Sequence, residues 1–207
     1  MQKPKTTKRK KPAQPKPAVI VEELAPVEEQ HNVIFKPNAG PQTSFLAAGE
    51  REVLYGGSAG GGKSYAMLAD PLRFMGHPAF SGLLLRHTTE ELRELVFKSQ
   101  EMYPKIWPGI KWSERKMQWT APSGARLWMS YLDREDDALR YQGLAFSWIG
   151  FDELTQWPTP FAWNYMRSRL RSTAHDLPVY MRATTNPGGR GHHWVKKMFI
   201  DPAPHGT

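Results

Sequence analysis

The chain has no cysteine, which excludes disulfide staples and Cys-ligated zinc or iron–sulfur chemistry and fits a reducing cytosolic setting. Long apolar runs are lacking too. None approaches the ~18 residues that a spanning helix needs, and the polar start does not read as a secretory signal, so the expectation is a protein away from membranes. Acid is missing from residues 1–17, where Lys3, Lys5, Lys8, Arg9, Lys10, Lys11 and Lys16 stand. Those seven leave only +1 of the formal +8 for the rest of the chain. The remainder therefore has no strong global field, and composition alone does not make it a nucleic-acid binder. Large apolar residues are scarce up to residue 32, among Lys, Pro, Ala, Gln and the acids Glu22, Glu23, Glu28 and Glu29. This predicts a disordered, basic, Pro-rich arm over 1–32 and a folded domain over 33–207. The arm reads as a solvated tail or as a nonspecific phosphate binder.

What is present centres on Gly57, Ser58, Ala59, Gly60, Gly61, Gly62, Lys63 and Ser64, which fit GxxxxGK[ST] directly after the β-prone Val53, Leu54 and Tyr55. Glycines let successive backbone N–H groups face a phosphate chain, and the helix that follows adds the positive end of its dipole. Lys63 is placed to reach the β- and γ-phosphates of a nucleotide, and Ser64 to hold Mg²⁺. A Gly-rich turn that binds nothing is the alternative, and the strand before the motif argues against it. Gln42, about fifteen residues upstream, has the donor and acceptors to read adenine N6 and N7. A surface glutamine would look the same.

A second strand end supplies what such a loop needs. The apolar run from Phe146 to Phe151 stops at Asp152 and Glu153. Asp152 can support Mg²⁺ opposite Ser64, and Glu153 can orient and deprotonate an attacking water. Neighbours on an extended strand point to opposite sides, so both can serve one site only if the backbone turns there. A third strand, near residues 179–186, ends in Thr184, Thr185 and Asn186 before Pro187, Gly188 and Gly189. These polar groups could sense the γ-phosphate or simply cap a turn. Arg140 can reach a phosphate in its own site or a neighbour's; a salt bridge to Asp136 or Asp137 is equally compatible with its place.

Elsewhere, residues 65–74 read as the helix opened by the loop, bent or ended at Pro71. Residues 82–86 read as a buried strand that ends on Arg86. Thr88 and Glu91 have capping-box spacing ahead of Leu92, Leu95 and Val96. Residues 117–131 suggest a β-hairpin turned by residues 121–124. Its tryptophans, with Trp107 and Trp112, suit a sheet core, or with interleaved Lys111, Arg115, Lys116 and Arg126 a base-stacking surface. His192 and His193 lack a third ligand at metal spacing and do not read as a zinc site.

Gly40-Pro-Gln42, GGSAGGGKS, the strand ending in Arg86, Arg140-Tyr-Gln-Gly143, IGFDE and TTNPGG, in this order, resemble the ATPase part of tailed-phage large terminase subunits over about residues 35–200. The resemblance implies an α/β P-loop NTPase fold of the additional-strand, catalytic-glutamate type, its mostly parallel sheet flanked by helices. It implies ATP and Mg²⁺ as cofactors. It also implies an ATPase that pumps double-stranded DNA into a procapsid in the host cytoplasm. The expected partners are a portal protein, a small terminase subunit and further copies in a ring. By the same resemblance Gln42 contacts adenine, Asp152 supports magnesium, Glu153 activates water, and Thr184, Thr185 and Asn186 couple hydrolysis to movement. Arg140 falls where some members carry an arginine that acts in trans. An RNase H-like nuclease domain usually follows in the family and is not in these residues, so no nuclease is expected here and a truncated or split reading frame is the expectation. A helicase-like translocase and a non-catalytic nucleotide-binding fragment are the competing readings.

Overall fold

The computed structural model describes residues 33–57, 60 and 62–202. The arm over 1–32, Ser58, Ala59 and Gly61 of the loop, and residues 203–207 lie outside the described residues.

A seven-stranded sheet organises the domain. Its strands are β1 (Glu52–Tyr55), β2 (Ser81–Arg86), β3 (Lys111–Ser113), β4 (Gln118–Thr120), β5 (Arg126–Tyr131), β6 (Trp148–Phe151) and β7 (Tyr180–Thr184). The spatial order is β1-β7-β6-β2-β5-β4-β3. β1, β7, β6, β2 and β5 are parallel, and β4 and β3 continue antiparallel from β5. Parallel strands covered on both faces need apolar residues on both, so they read as unbroken runs rather than alternations. Leu83, Leu84 and Leu85 of β2 are all fully buried. Leu84 joins one core with Met67, Leu68 and Met129, while Leu83 and Leu85 join the other with Ile149 and Phe151. Each such side chain contributes about 1.5–3 kcal/mol by leaving water.

Helices α2 (Lys63–Ala69) and α3 (Thr89–Ile106) supply the first core, and α4 (Phe161–Arg167) and α5 (His192–Val195) supply the second. A short α1 (Pro41–Ala47) precedes β1 and buries Phe45 in the first. The start of α3 is fixed by the expected capping box: Glu91 N–H donates to Thr88 Oγ1, and Thr88 N–H donates to Glu91 Oε2, both at 3.3 Å. α2 gives way to a 3₁₀ stretch, Asp70–Phe74, where Pro71 removes a helical donor.

The tryptophans of the hairpin region are framework. Trp119 is buried, donates to Ser99 Oγ at 3.0 Å and packs against Tyr103 and Trp112 with ring centroids 5.2 Å away. Trp107 donates to the Leu72 carbonyl. The sequence pattern omits β3, because three residues are too few to show alternation.

Candidate active site

Register decides what meets what at the carboxyl edge of the parallel strands. Phe151 pairs with Ala183 on one side and Leu85 on the other, so the next residue, Asp152, comes to lie between Thr184 and Arg86. Asp152 N–H still donates to the Leu85 carbonyl at 3.0 Å. Its carboxylate is fully buried and accepts from the Thr184 hydroxyl through Oδ1 and from Ser64 Oγ, at 3.4 Å, through Oδ2. Arg86 Nη1 stands 3.4 Å from the same Oδ2. Arg86 is nearly buried, and its Nε and Nη1 have no hydrogen-bond partner among the described residues.

β1 delivers the loop to the same edge, with Thr185 N–H donating to the Tyr55 carbonyl. Lys63 opens α2, is buried, and donates to the Gly57 carbonyl at 3.1 Å. Gly62 sits at φ +70°, and a Cβ there would stand 2.7 Å from Gln42 Nε2. Only glycine admits both that backbone and that neighbour. Gln42 itself is buried: Nε2 donates to the Gly62 carbonyl at 2.9 Å, and Oε1 accepts from Asn38 N–H at 2.7 Å. In this arrangement the amide expected at adenine braces the loop.

Glu153 adopts φ +60°, ψ +56°, a left-handed conformation uncommon for a residue with a Cβ. The chain thus turns immediately after Asp152, which brings both acids to one site where an extended strand would part them. Glu153 N–H donates to Thr184 Oγ1 at 3.1 Å. Its carboxylate is held at both oxygens by Asn186: the backbone N–H reaches Oε2 at 3.0 Å and Nδ2 reaches Oε1 at 2.7 Å. Burial pushes the Glu153 carboxyl above its ordinary value, and the neighbouring Asp152 charge adds to this; the Asn186 N–H, Arg86 and Lys63 pull against them. Glu91 is pushed up by burial, but hydrogen bonds from Gln156 and Thr88 and the Arg86 charge hold it below its ordinary value overall. The Gln156 contact, 2.6 Å, ties the α3 cap to the turn after Glu153.

Between these groups opens a cavity of about 320 Å³, lined by Gly60, Gly62, Lys63, Ser64, Tyr65, Lys98, Glu153 and Asn186. Lys98, on α3, is the residue that sequence reasoning missed. Its Nζ lies 6.0 Å from the Tyr65 ring centroid and 3.9 Å from Glu94, and the i,i+4 pair with Glu94 is all that the sequence offered. The structure brings together Lys63, Ser64, Asp152, Glu153, Thr184, Thr185, Asn186 and Gln42. Arg140 stays apart, exposed, donating to the carbonyls of Asp137 and Tyr131 at 3.1 and 2.7 Å and lying 5.8 Å from the Tyr131 ring centroid. His192 Nδ1 accepts from Gly188 N–H.

The donor set fits a nucleotide phosphate chain with a hard divalent cation. A lysine and a helix start face the cavity from one strand end, while a hydroxyl and a carboxylate 3.4 Å apart offer oxygen ligands between two strands.

Residues 54–205 match the family described as "Terminase large subunit, T4likevirus-type, N-terminal". The chain belongs to this family. No curated protein matches it. Among solved structures, the large terminase of a thermophilic bacteriophage shares 19% identity and a TM-score of 0.60, over 80% of this chain and 43% of that one. That terminase has also been solved in complex with ADP and with ATP-γ-S. The ATPase domain of the Thermus phage P74-26 large terminase shares 13% identity with a TM-score of 0.56, over 83% and 74% of the two chains. The N-terminal domain of the bacteriophage phi29 DNA packaging ATPase shares 17% with a TM-score of 0.52, over 70% and 77%. These likenesses establish the fold of a terminase ATPase domain. In this chain β7 lies between the loop strand β1 and the acid strand β6, the additional-strand arrangement that the family resemblance implied. The chain spans less than half of the first of these proteins, the thermophilic-phage terminase. Among the described residues, no helix is long and apolar enough to cross a membrane.

Proposed function

We propose that this chain is the ATPase of a DNA-packaging motor, hydrolysing ATP to move double-stranded viral DNA into a procapsid. The observation that carries the proposal is the convergence of Lys63, Ser64 and Glu153 on one cavity at the carboxyl edge of β1 and β6, with Asp152 buried behind Ser64. The partners that fit are a portal protein, a small terminase subunit and further copies in a ring, in the host cytoplasm. Residues 57–64 cradle the phosphates, and Lys63 exchanges the Gly57 carbonyl for phosphate oxygens. Gln42 would contact the adenine base by exchanging its bond to the Gly62 carbonyl for one to the base. Ser64 and Asp152 would hold Mg²⁺, which would supply charge neutralisation at the phosphates. Glu153 accepts the proton of the attacking water, for which its raised affinity for protons suits it.

Thr184, Thr185 and Asn186 form the coupling element. Thr184 bonds the Asp152 carboxylate and the Glu153 N–H, and Asn186 gives one hydrogen bond to each Glu153 oxygen, which orients the carboxylate and leaves lone pairs on both oxygens for water. Arg140 is assigned to a neighbouring copy's phosphates, because it is exposed in the 3₁₀ turn Glu135–Tyr141, on the surface of its own domain.

The test is Mg²⁺-dependent ATP hydrolysis by the purified chain. Glu153→Gln should lower kcat by about 10³-fold or more with nucleotide affinity retained. Equal turnover by that variant would remove Glu153 from the role of base.

A further inference from the structure

The turn that carries Glu153 touches the residues 184–191 segment at a point that none of the assigned roles uses. Thr155, in the 3₁₀ turn Leu154–Gln156, is buried. Its hydroxyl lies 2.8 Å from the Thr185 hydroxyl and 3.4 Å from the Asn186 carbonyl oxygen, which also accepts from Thr185 Oγ1 at 3.0 Å. Two hydroxyls thus close on one carbonyl. The residue that owns this carbonyl is the one whose N–H and side-chain amide grip Glu153. Asn186 is therefore held on one side by Thr155 and Thr185 and holds the glutamate on the other.

The same turn grips the chain further on. Gly191 N–H donates to the Thr155 carbonyl at 2.7 Å, and Trp194 Nε1 donates to the Trp157 carbonyl at 2.8 Å. A Cβ on Gly191 would collide with the Trp157 carbonyl oxygen, so the 187–191 loop lies flat against the turn because position 191 has no side chain. Two attachments made by one residue, side chain to Asn186 and backbone to Gly191, bracket Pro187, Gly188 and Gly189.

We propose that Thr155 is a positioning residue for the hydrolytic glutamate: its hydroxyl fixes Asn186, and through Asn186 the Glu153 carboxylate, while its carbonyl ties the same turn to the start of α5. This rests on the ATPase reading. Thr155 does not line the cavity of Lys63, Ser64 and Glu153, and it acts there through Asn186.

The experiment compares Thr155→Val, which keeps the shape and removes the hydroxyl, with Thr155→Ser, which keeps the hydroxyl, in the full 207-residue chain. Amide hydrogen exchange over residues 184–195 is read without nucleotide, and kcat and KM are read with Mg²⁺ and ATP. Loss of one buried hydrogen-bonding group predicts about tenfold faster exchange at residues 186–190 in the valine variant, with the Gly191 amide unchanged and the serine variant like the parent. The valine variant is also expected to lose about tenfold in kcat, with KM for ATP within about twofold and serine restoring turnover. Parent-like exchange over residues 186–190 in the valine variant would overturn the proposal. So would a serine variant as impaired as valine, since the methyl would then be what matters. If the parent chain itself hydrolyses no ATP, the ATPase reading fails, and the exchange comparison still decides whether Thr155 fixes Asn186.

Discussion

Two fully buried aspartates stand at opposite ends of α2, and they are held differently. At the carboxyl end Asp70 accepts from Trp148 Nε1 at 2.8 Å, lies 2.9 Å from Arg73 Nη2 and 3.8 Å from Arg182 Nε. Arg182 is itself pinned, donating to the carbonyls of Ala48, Glu50 and Met181 and lying 4.3 Å from the Tyr180 ring centroid. At the amino end Asp152 has Ser64 and Arg86 at 3.4 Å, with Arg86 Nε and Nη1 lacking hydrogen-bond partners among the described residues. The first acid is locked among α2, β6, β7 and the chain entering β1. The second is held tightly only at Oδ1, by the Thr184 hydroxyl, while its Oδ2 has long, exchangeable contacts that a cation can replace. Burial is the same for both, so burial does not tell a working carboxylate from a structural one; an oxygen left to long contacts beside a phosphate loop does.

The comparison breaks first at Asp70. Asp70→Ala leaves Arg182 buried without its counter-charge and should cost about 3–5 kcal/mol in urea denaturation, whereas an apolar replacement of both partners should recover much of that loss. Asp152→Asn tests the other end. Stability should fall by less than at Asp70, because Arg86 keeps more solvent contact than Arg182, while the Mg²⁺ requirement for nucleotide binding shifts by about tenfold or more, measured by titration with and without the metal. A stability loss at Asp152 matching that at Asp70 would erase the distinction.

A pH profile sharpens the working end further. The Glu153 carboxyl sits above its ordinary value of 4.5, and its ionised form is the base, so kcat/KM should rise with pH through a limb centred above 4.5. The same shift acts on folding with a fixed sign. The folded state holds this proton more tightly than the unfolded chain, so the contribution to stability is fully present below 4.5 and is lost as pH rises through the folded value. Glu153→Gln should remove that dependence in thermal melts. The smallest effect belongs to Arg140: Arg140→Ala should cost no more than about 1 kcal/mol, since its partners are solvent-exposed carbonyls and one ring face.

How far the sequence went follows from what each residue needs. The phosphate loop, the two acids and residues 184–186 were legible because their chemistry depends on local order: glycines at fixed spacing, a strand that stops on carboxylates, a strand that stops on hydroxyls. The capping box at Thr88 and Glu91 was legible for the same reason. Asp70 and Arg182 were invisible, since an acid at a helix end and an arginine within a strand signify nothing until β7 is laid beside β6. Thr155 was hidden by the turn at Glu153, because an extended continuation would have carried its hydroxyl away from Asn186. Lys98 reaches the cavity only through the placement of α3, which no local pattern specifies.

The position of β7 also sets which parts of the chain tolerate a change of length. Side chains alternate along a strand, so a slip of one residue in β7 would swing the Thr184 hydroxyl off Asp152 and put its neighbour there instead. Residues 171–176, mostly exposed and outside regular structure, can lengthen or shorten without that consequence. Insertions and deletions drifting into this stretch of the gene would therefore be filtered very unevenly: absorbed before Tyr180, and purged from there to Asn186.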